Sequence, residues 1–214
     1  MMMKNLSRFL LVLSGMVLAT AAWCQMNMGL EYYREKDYDQ AMKTFSAVLD
    51  ENPANVQARY LYGLCLLRLE RPEEAAEAFR MVLEEQPEHG KAHTNLARAL
   101  VQMKEYEKAL PHAEKGAELT DDSGAYNVVG LAQMGLEEYG LAAEAFSKAI
   151  DKDPANAWAY NNRGYTRVLE GLGIDDGSAN QALRDFNRAL EIDPENELFQ
   201  QNQAYVEQFR DRWL

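Results

Sequence analysis

The stretch AAEAFSKAIDKDP at residues 142–154 decides the fold, because related text recurs along most of the chain. Three further copies end in proline: AMKTFSAVLDENP at 41–53, AAEAFRMVLEEQP at 75–87 and ALRDFNRALEIDP at 182–194. A fifth copy, ALPHAEKGAELTD at 109–121, carries Asp121 in place of the proline. Successive copies begin 34, 34, 33 and 40 residues apart. A period close to 34 residues predicts an array of stacked helical repeats.

Each copy predicts one amphipathic helix, which ends at the proline because the proline ring cannot continue a helix. A second amphipathic helix is predicted upstream, since a small residue precedes the first alanine of four copies by 12 positions: Gly29, Gly63, Ala97 and Gly130. We expect this small residue to allow close contact between the two helices. Large side chains are expected to fill the space between neighbouring repeats: Phe45, Phe79, Phe146 and Phe186.

The order of a small residue, an aromatic, an alanine, an aromatic and a proline resembles the pattern of the tetratricopeptide-repeat family. A clean match runs through Gly130, Tyr139, Ala142, Phe146 and Pro154. The resemblance implies an all-α fold, a right-handed superhelical solenoid of five helix-turn-helix repeats with a C-terminal capping helix. The implied boundaries are about 25–55, 56–89, 90–122, 123–156 and 157–194 for the repeats, and 195–214 for the polar capping helix.

Two repeats depart from this pattern. The third has Ala113 and Gly116 where other repeats carry larger side chains, and Pro111 lies inside its second helix, so we expect it to be the loosest joint. The fifth has six extra residues between its helices, which predict a lengthened, flexible or contact-making loop near 170–181. Calcium is not expected there, because the alternating oxygen ligands of an EF-hand are absent.

Residues 1–24 have the features of a secretory signal peptide: two basic residues, no acid and a following apolar run. Small side chains at Ala22 and Cys24 predict cleavage before Gln25, and cleavage two or three residues earlier is an alternative. Removal implies an exported protein, periplasmic or secreted. Two other interpretations stay open: lipid attachment at Cys24, which the bulky preceding Trp23 disfavours, and an uncleaved membrane anchor.

The chain is acidic, with 22 Lys and Arg against 34 Asp and Glu and a formal net charge of −12. This balance excludes a general nucleic-acid binder without a localised basic stripe, and it disfavours anionic lipid surfaces. His89 and His93 are four residues apart, but no third ligand is evident, so we expect exposed histidines and no metal site. Because no nucleophile–base pair or phosphate-binding loop is recognisable, we predict neither a cofactor nor an enzymatic activity. Cys65, in an apolar helical context, is expected to be buried and unreactive.

The resemblance implies that the first helix of each repeat, helix A, lines a concave groove. Acidic residues are absent from the predicted A helices of repeats two to five, at 56–69, 90–103, 123–136 and 157–169, which leaves this lining neutral to basic. Alternatively, packing alone keeps acids out of these helices. The resemblance assigns thirteen side chains to the groove: Tyr33, Arg34, Tyr60, Leu64, Arg68, Lys91, Thr94, Arg98, Asn127, Leu131, Trp158, Asn161 and Tyr165. Many are Tyr, Trp, Arg or Asn, which suit contacts with an extended segment of a protein or peptide partner.

One charged pair has a structural interpretation. Arg163 occupies a position of helix A that is usually apolar, and Asp185 precedes Phe186 in the following helix. A common subtype of the family carries this combination within one repeat. The resemblance therefore implies a partly buried ion pair that joins the two helices and has no catalytic role.

These features together predict an exported, periplasmic scaffold that mediates protein–protein interaction through its groove. The alternative is a membrane-anchored assembly factor of an envelope, pilus or secretion complex, held by a lipidated Cys24 or an uncleaved N-terminal helix. Association with further copies of the chain is a third interpretation. The predicted partner is a protein or peptide, and no nucleic acid is expected.

Overall fold

A computed structural model describes residues 23–171 and 176–213, and within these ranges the chain forms eleven α-helices and no strand. The helices are α1 (23–34), α2 (Tyr38–Glu51), α3 (Val56–Arg68), α4 (Pro72–Glu85), α5 (Gly90–Gln102), α6 (Tyr106–Thr120), α7 (Ser123–Gly135), α8 (Tyr139–Lys152), α9 (Ala157–Gly171), α10 (Asp176–Ile192) and α11 (Glu197–Trp213). The prediction of an all-α fold is confirmed over this part of the chain. Residues 1–22, which hold most of the predicted signal peptide, lie outside it.

The A helices of the first four repeats (α1, α3, α5 and α7) end in the same kind of turn. One residue of each turn has a left-handed backbone with φ between 56° and 63°: Lys36, Glu70, Lys104 and Glu137. After α3, the backbone N–H of Arg71 donates to the Leu66 carbonyl at 2.9 Å, which closes the helix end as in a Schellman motif. The repeat seen in the sequence is therefore also present in the backbone conformation.

Several A helices begin at a residue whose side chain accepts a backbone N–H from the first turn. Asn55 caps α3 in this way with a 3.0 Å bond. Asp122 and Asn156 cap α7 and α9. His89 caps α5, because its Nδ1 accepts the Ala92 N–H at 3.1 Å. The expectation that His89 is merely exposed is incomplete, since its side chain has a defined role at the start of a helix.

The two helices of a repeat approach each other closely at the small residue, as predicted from the sequence. A Cβ added to Gly130 would lie 2.6 Å from Cε1 of Phe146, which is closer than real Cβ contacts. The Phe146 ring is fully buried. The same arrangement occurs in three other repeats: Gly29 with Phe45, Gly63 with Phe79 and Gly164 with Phe186.

The third repeat is tightly packed, which contradicts the expectation that it is the loosest joint. Pro111 does lie inside α6, and Ala97 and Ala113 are fully buried where other repeats pair glycine with phenylalanine. A Cβ added to Gly116 would overlap Oγ1 of Thr94. The small side chains therefore bring α5 and α6 together instead of leaving a void between them.

Asp121, which stands in place of the proline, ends α6 with a left-handed backbone at φ 50°. Its carboxylate pairs with Lys152 and accepts a hydrogen bond from the Tyr126 hydroxyl at 3.0 Å. Both contacts, that of Lys152 first, lower the pKa of Asp121. The substituted residue thus ties the end of α6 to α7 and α8.

The loop predicted at 170–181 is mostly helical. Helix α9 continues to Gly171 and α10 begins at Asp176, and residues 172–175 between them lie outside the described residues. These helices contain 15 and 17 residues, whereas α7 and α8 of the preceding repeat contain 13 and 14. Most of the extra residues therefore lengthen the two helices, and the predicted loop boundaries are wrong.

The helices divide into two compact units, an N-terminal unit (1–87) and a C-terminal unit (88–214). In the N-terminal unit, Phe45 and Cys65 belong to a buried core against which side chains of α1 pack. In the C-terminal unit, α11 buries Phe199 and Val206 against α9 and α10. The expectation of a polar capping helix is therefore incomplete, because α11 carries one fully buried apolar face.

Cys65 is fully buried, as the sequence predicts. Burial raises the pKa of its thiol to about 12. Since the thiolate is the reactive form of cysteine, the side chain acts as a small apolar residue of the core at neutral pH.

Candidate partner-binding faces

Five of the predicted groove residues lie on α1 and α3 of the N-terminal unit, and two of them are in contact. A hydrogen bond between the Tyr33 phenol and the Arg68 guanidinium raises the pKa of Arg68 above its ordinary value. Tyr33 also meets Tyr38 edge to face, with ring centroids 5.2 Å apart. These contacts hold Tyr33 half-buried, while Arg68 stays exposed at the surface.

The other three predicted residues of this unit differ in their surroundings. Tyr60 packs against Phe79, with ring centroids 5.8 Å apart, and Leu64 is half-buried. Arg34 is exposed and pairs with Glu31 at 2.5 Å within α1. Because an ion pair open to solvent contributes little to stability, Arg34 is able to exchange Glu31 for an acidic group of a partner.

The other eight predicted residues lie on α5, α7 and α9 of the C-terminal unit. Three are exposed, namely Lys91, Trp158 and Tyr165. Arg98 and Leu131 are half-buried. The structure thus leaves a basic residue at the start of α5 and two aromatic residues on α9 open to solvent.

Thr94 and Asn161, which the resemblance assigns to the groove, are buried in this structure and offer little surface to a partner. Thr94 is 7% exposed because Gly116 packs against it, and its hydroxyl donates to the Gly90 carbonyl at 3.2 Å. Asn161 is 2% exposed and accepts a hydrogen bond from Asn202 of α11. Both side chains serve packing between or within helices, a role that side-chain type alone does not reveal.

Asparagine pairs join α7 to α9 and α9 to α11 in the C-terminal unit. Nδ2 of Asn162 on α9 donates to Oδ1 of Asn127 on α7 at 3.1 Å. Nδ2 of Asn202 on α11 donates to Oδ1 of Asn161 on α9 at 2.8 Å. The second pair shows that α11 packs beside α9 much as α9 packs beside α7.

Five large apolar side chains are exposed on the two helices that this second pair joins. We call them the seam patch, and their exposed fractions lie between 40% and 49%: Trp158, Tyr165, Leu169, Leu198 and Tyr205. Exposed aromatic and aliphatic side chains clustered in this way are typical of protein interaction sites.

Helical spacing places the seam patch around the Asn161–Asn202 hydrogen bond. Trp158 and Tyr165 are seven residues apart on α9, so they lie on one face of that helix. Leu198 and Tyr205 have the same spacing on α11. Asn161 lies between Trp158 and Tyr165 on α9, and Asn202 lies between Leu198 and Tyr205 on α11. Trp158 is held in addition by an edge-to-face contact with Phe199, at 5.0 Å between ring centroids.

Sequence reasoning identifies Trp158 and Tyr165 but misses the three other members of the seam patch. Leu198 and Tyr205 lie on a helix whose Glu, Gln and Asn content predicts a polar cap. Their seven-residue spacing, offset by one from that of the buried Phe199 and Val206, is the signal that could identify them.

The structure brings Arg163 and Asp185 together in a partly buried cluster. Nη2 and Nε of Arg163 lie 2.6 Å and 3.0 Å from the two carboxylate oxygens of Asp185. Nη1 of Arg163 donates to Oγ of Ser147 on α8 at 3.0 Å. Arg167, which sequence reasoning does not single out, pairs with the same carboxylate. Burial lowers the pKa of Arg167, and one carboxylate thus serves two guanidinium groups and joins α9 to α10.

Acidic residues are absent from α3, α5 and α7, and α9 carries one, Glu170, at its exposed end. In contrast, α4 has five glutamates. These four A helices are therefore much less acidic than the chain as a whole. A partner segment that combines apolar and acidic side chains would meet little repulsion on these faces.

His93, which the sequence predicts to be exposed, is paired with His112. Nδ1 of His93 on α5 lies 3.0 Å from Nδ1 of His112 on α6, and the rings stack with centroids 5.2 Å apart. Both side chains are half-buried. In the described ranges, no group of three His, Cys, Asp or Glu side chains is arranged to hold a metal ion.

Over the same ranges, none of the helices combines the length and apolar character that a membrane crossing requires.

Two models of the tetratricopeptide repeat match the chain, over residues 26–89 and 67–127. A TPR repeat-containing protein of Schizosaccharomyces pombe is 36% identical over 155 residues, which are 72% of this chain and 17% of that protein. The chain spans a third or less of the length of the curated relatives that it matches.

Solved structures of tetratricopeptide-repeat proteins share the fold. The thermophilic TPR protein TTC0263 of Thermus thermophilus superposes with a TM-score of 0.72 at 19% identity, covering 86% of this chain and 98% of that one. MamA, from residue 41 to its end, of Desulfovibrio magneticus superposes with a TM-score of 0.67 at 24% identity, covering 82% and 97%. The chain therefore belongs to the tetratricopeptide-repeat family, whose repeats typically form non-catalytic scaffolds and mediate protein–protein interaction.

Proposed function

We propose that this protein is an exported scaffold, periplasmic or secreted, that binds a segment of a partner protein on the A-helix side of its repeats. The seam patch is the observation that carries the proposal. It places two tyrosines, a tryptophan and two leucines in solvent on α9 and α11, around the Asn161–Asn202 hydrogen bond. Large aromatic side chains of this kind dominate binding energy when a partner buries them.

The chemistry of the partner follows from the seam patch itself, whose five exposed side chains are aromatic or aliphatic. Exposed acids flank the patch, with Glu170 next to Leu169 on α9 and Glu197 next to Leu198 on α11. The proposed ligand is therefore a helix or extended segment whose apolar side chains cover the seam patch. Arg163 and Arg167 already share Asp185, so they are assigned to the fold and not to the ligand.

The test is a binding comparison between matched variants of the full chain, using a partner recovered with the wild-type protein from its native cells. Replacing Trp158 and Tyr205 together by Ala is expected to weaken that complex at least tenfold, because truncated hot-spot residues each cost about 2 kcal/mol or more. Met81→Ala is the control, since Met81 is also an exposed apolar residue but lies on a B helix, α4. Equal binding by all three proteins would reject the seam patch as the binding site.

Export rests on the N-terminal sequence and is tested separately, by the mass of the mature N-terminus. The proposal predicts a chain that begins at or just before Gln25. An acylated Cys24 or an intact residue 1 would favour the alternative, a membrane-anchored assembly factor of an envelope, pilus or secretion complex. The exposure of Cys24 in the structure leaves that cysteine accessible to modification.

The alternative occupant of the seam patch is a second copy of the chain. A second copy of the chain that covers the seam patch would give a dimer whose dissociation depends on Trp158 and Tyr205. Light scattering of the wild-type protein and of the double Ala variant distinguishes this arrangement from a scaffold that binds a different protein as a monomer.

A further inference from the structure

Two contacts fix how α9 and α11 lie beside each other under the seam patch. The Trp158 ring meets the Phe199 ring edge to face, and Asn161 accepts a hydrogen bond from Asn202. Trp158 lies three residues before Asn161, and Phe199 lies three residues before Asn202. The two helices therefore run in the same direction and in a fixed register.

This register arranges the seam patch in rows that cross the two helices. Leu198 on α11 lies beside Trp158 on α9 and forms a first row with it. Tyr165 and Tyr205 each follow by seven residues and form a second row. Seven residues of helix rise about 10.5 Å, and Leu169 lies about 6 Å beyond the second row. The seam patch is therefore an apolar strip about 16 Å long, directed along the helix axes.

An α-helix is the regular backbone conformation that matches this spacing. Side chains at positions i, i+7 and i+11 of a helix share one face, at the same intervals of about 10.5 and 6 Å. A strand rises about 3.3 Å per residue, so about three residues would reach the second row and the side chain there would point away. A polyproline II segment reaches both rows at i and i+3, but its side chain two residues later does not face Leu169.

The two ends of the seam patch differ in charge. Asp153 lies just before α9, and Glu195 and Glu197 lie at the start of α11. All three side chains are exposed, and the ion pairs of the described residues do not include them. At the other end, Glu170 acts on the charge of Arg167, so its own charge is partly offset. Negative charge is therefore concentrated where α9 and α11 begin.

We propose that the seam patch binds an amphipathic α-helix of the partner, with apolar side chains at i, i+7 and i+11 and basic residues at one end. The basic end lies where α9 and α11 begin, because opposite charges meet there. The bound helix lies along the strip and covers both rows, as in other complexes that seat an amphipathic helix in a groove. This inference rests on the proposed function and adds the conformation and the charge of the bound segment.

Fluorescence anisotropy of labelled synthetic peptides, titrated with the full chain, tests the proposal. Two probe peptides of 18 residues have leucine at positions 4, 8, 11 and 15 and alanine or glutamine elsewhere. One ends in three lysines, and the other begins with them. We expect at least one of these lysine peptides to bind saturably. Absence of binding by both would overturn the proposal.

Two changes to the lysine peptide that binds separate conformation from charge. Proline in place of the residue between the second and third leucines breaks the helix and should weaken binding at least tenfold. Three glutamates in place of the lysines should weaken it about 3- to 10-fold at low salt, and added salt should reduce this difference. Unchanged binding by the proline peptide would overturn the helical ligand. Unchanged binding by the glutamate peptide would overturn the basic end.

Variants of the protein show whether the acidic end is the site of this attraction. Glu195→Gln combined with Glu197→Gln should weaken binding of the lysine peptide about 2- to 5-fold, because two exposed charges are removed. Glu84→Gln combined with Glu85→Gln, both exposed on α4 of the other unit, changes the net charge equally and should have no effect. Equal weakening by the two pairs would indicate general attraction to an acidic protein and would contradict the proposal.

The apolar rows are tested by Trp158→Ala combined with Tyr205→Ala, which should weaken binding of the lysine peptide at least tenfold. Should circular dichroism show that this variant does not fold, Leu198→Ser at an exposed position takes its place, with an expected loss of at least threefold. Unchanged peptide binding by the folded variant would overturn the proposal.

Failure of this proposal is distinguishable from failure of the proposed function, because the same double Ala variant is also tested against the recovered native partner. Loss of the native complex together with equal binding of the proline and lysine peptides would leave partner binding at the seam patch in place. It would overturn only the helical conformation of the ligand.

Discussion

Nη2 of Arg163 lies 2.6 Å from Oδ1 of Asp185, and this contact joins helix A to helix B of the fifth repeat. The Asp185 side chain is 6% exposed and also pairs with Arg167. One carboxylate thus offsets two partly buried guanidinium groups. The Arg163–Asp185 pair is not part of the seam patch. Its function is to hold α9 against α10, and α9 carries three residues of the seam patch.

Asp185→Ala is predicted to destabilise the protein by about 3 kcal/mol, because it leaves two partly buried positive charges without a partner. The measurement is the urea midpoint followed by circular dichroism. Glu191→Ala is the control, since the Arg188–Glu191 pair is exposed and should contribute little to stability. A midpoint for Asp185→Ala no lower than that of the control would show that the cluster does not stabilise the fold.

Gly130→Ala is predicted to cost about 1–3 kcal/mol, because the new Cβ would meet the Phe146 ring at 2.6 Å and force the helices apart. Gly140→Ala is the matched control on α8, where the nearest atom to a new Cβ is 3.8 Å away. The control should retain full stability in thermal unfolding. Equal stability of both variants would mean that α7 and α8 are not held at this distance.

Lys104→Gly is predicted to stabilise the protein by about 0.5–1 kcal/mol, because Lys104 has a φ of 60° that glycine adopts without strain. Lys43→Gly supplies the comparison, since Lys43 is exposed inside α2, and glycine there should cost about 1 kcal/mol. Opposite shifts of the two melting temperatures are expected. A loss of stability in Lys104→Gly would contradict the left-handed turn after α5.

Cys65 is predicted to resist thiol reagents in the folded protein at pH 8, because burial raises its pKa to about 12. The folded state then holds the thiol proton more tightly than the unfolded state does. Stability from this group is complete below the unfolded pKa, near 9.0, and is lost as pH rises from there through about 12. Cys65→Ala should therefore lose less stability than the wild type between pH 8 and pH 10.

Labelling with a thiol reagent in native buffer and in urea checks this prediction, with Cys24 replaced by Ser in both samples so that one thiol remains. Reaction of Cys65 only after unfolding is expected. Rapid reaction in native buffer would contradict its burial against α1 and α2.

The sequence predicts the fold well where one residue type has one structural consequence. Proline at 53, 87, 154 and 194 marks the end of four repeats, and glycine opposite phenylalanine marks the helix contact in four repeats. Predictions fail where the same residue type is compatible with two different packing arrangements. The small residues of the third repeat suggest a void, but Gly116 shows that the helices close on each other instead.

The candidate surface is predictable only in part. Trp158 and Tyr165 follow from their position in helix A, since that position fixes which way they face. The burial of Asn161 does not follow from the sequence because it depends on α11, a helix whose packing no repeat pattern describes.

The most direct test of partner binding at the seam patch is photo-crosslinking in native cells from position 158. Replacement of Trp158 by p-benzoylphenylalanine places the photoreactive ring in the seam patch, and the same replacement of Glu84 places it on α4 of the other unit. We expect one dominant crosslinked protein from position 158 that is absent from position 84. Identical products from both positions, or none from position 158, would contradict partner binding at the seam patch.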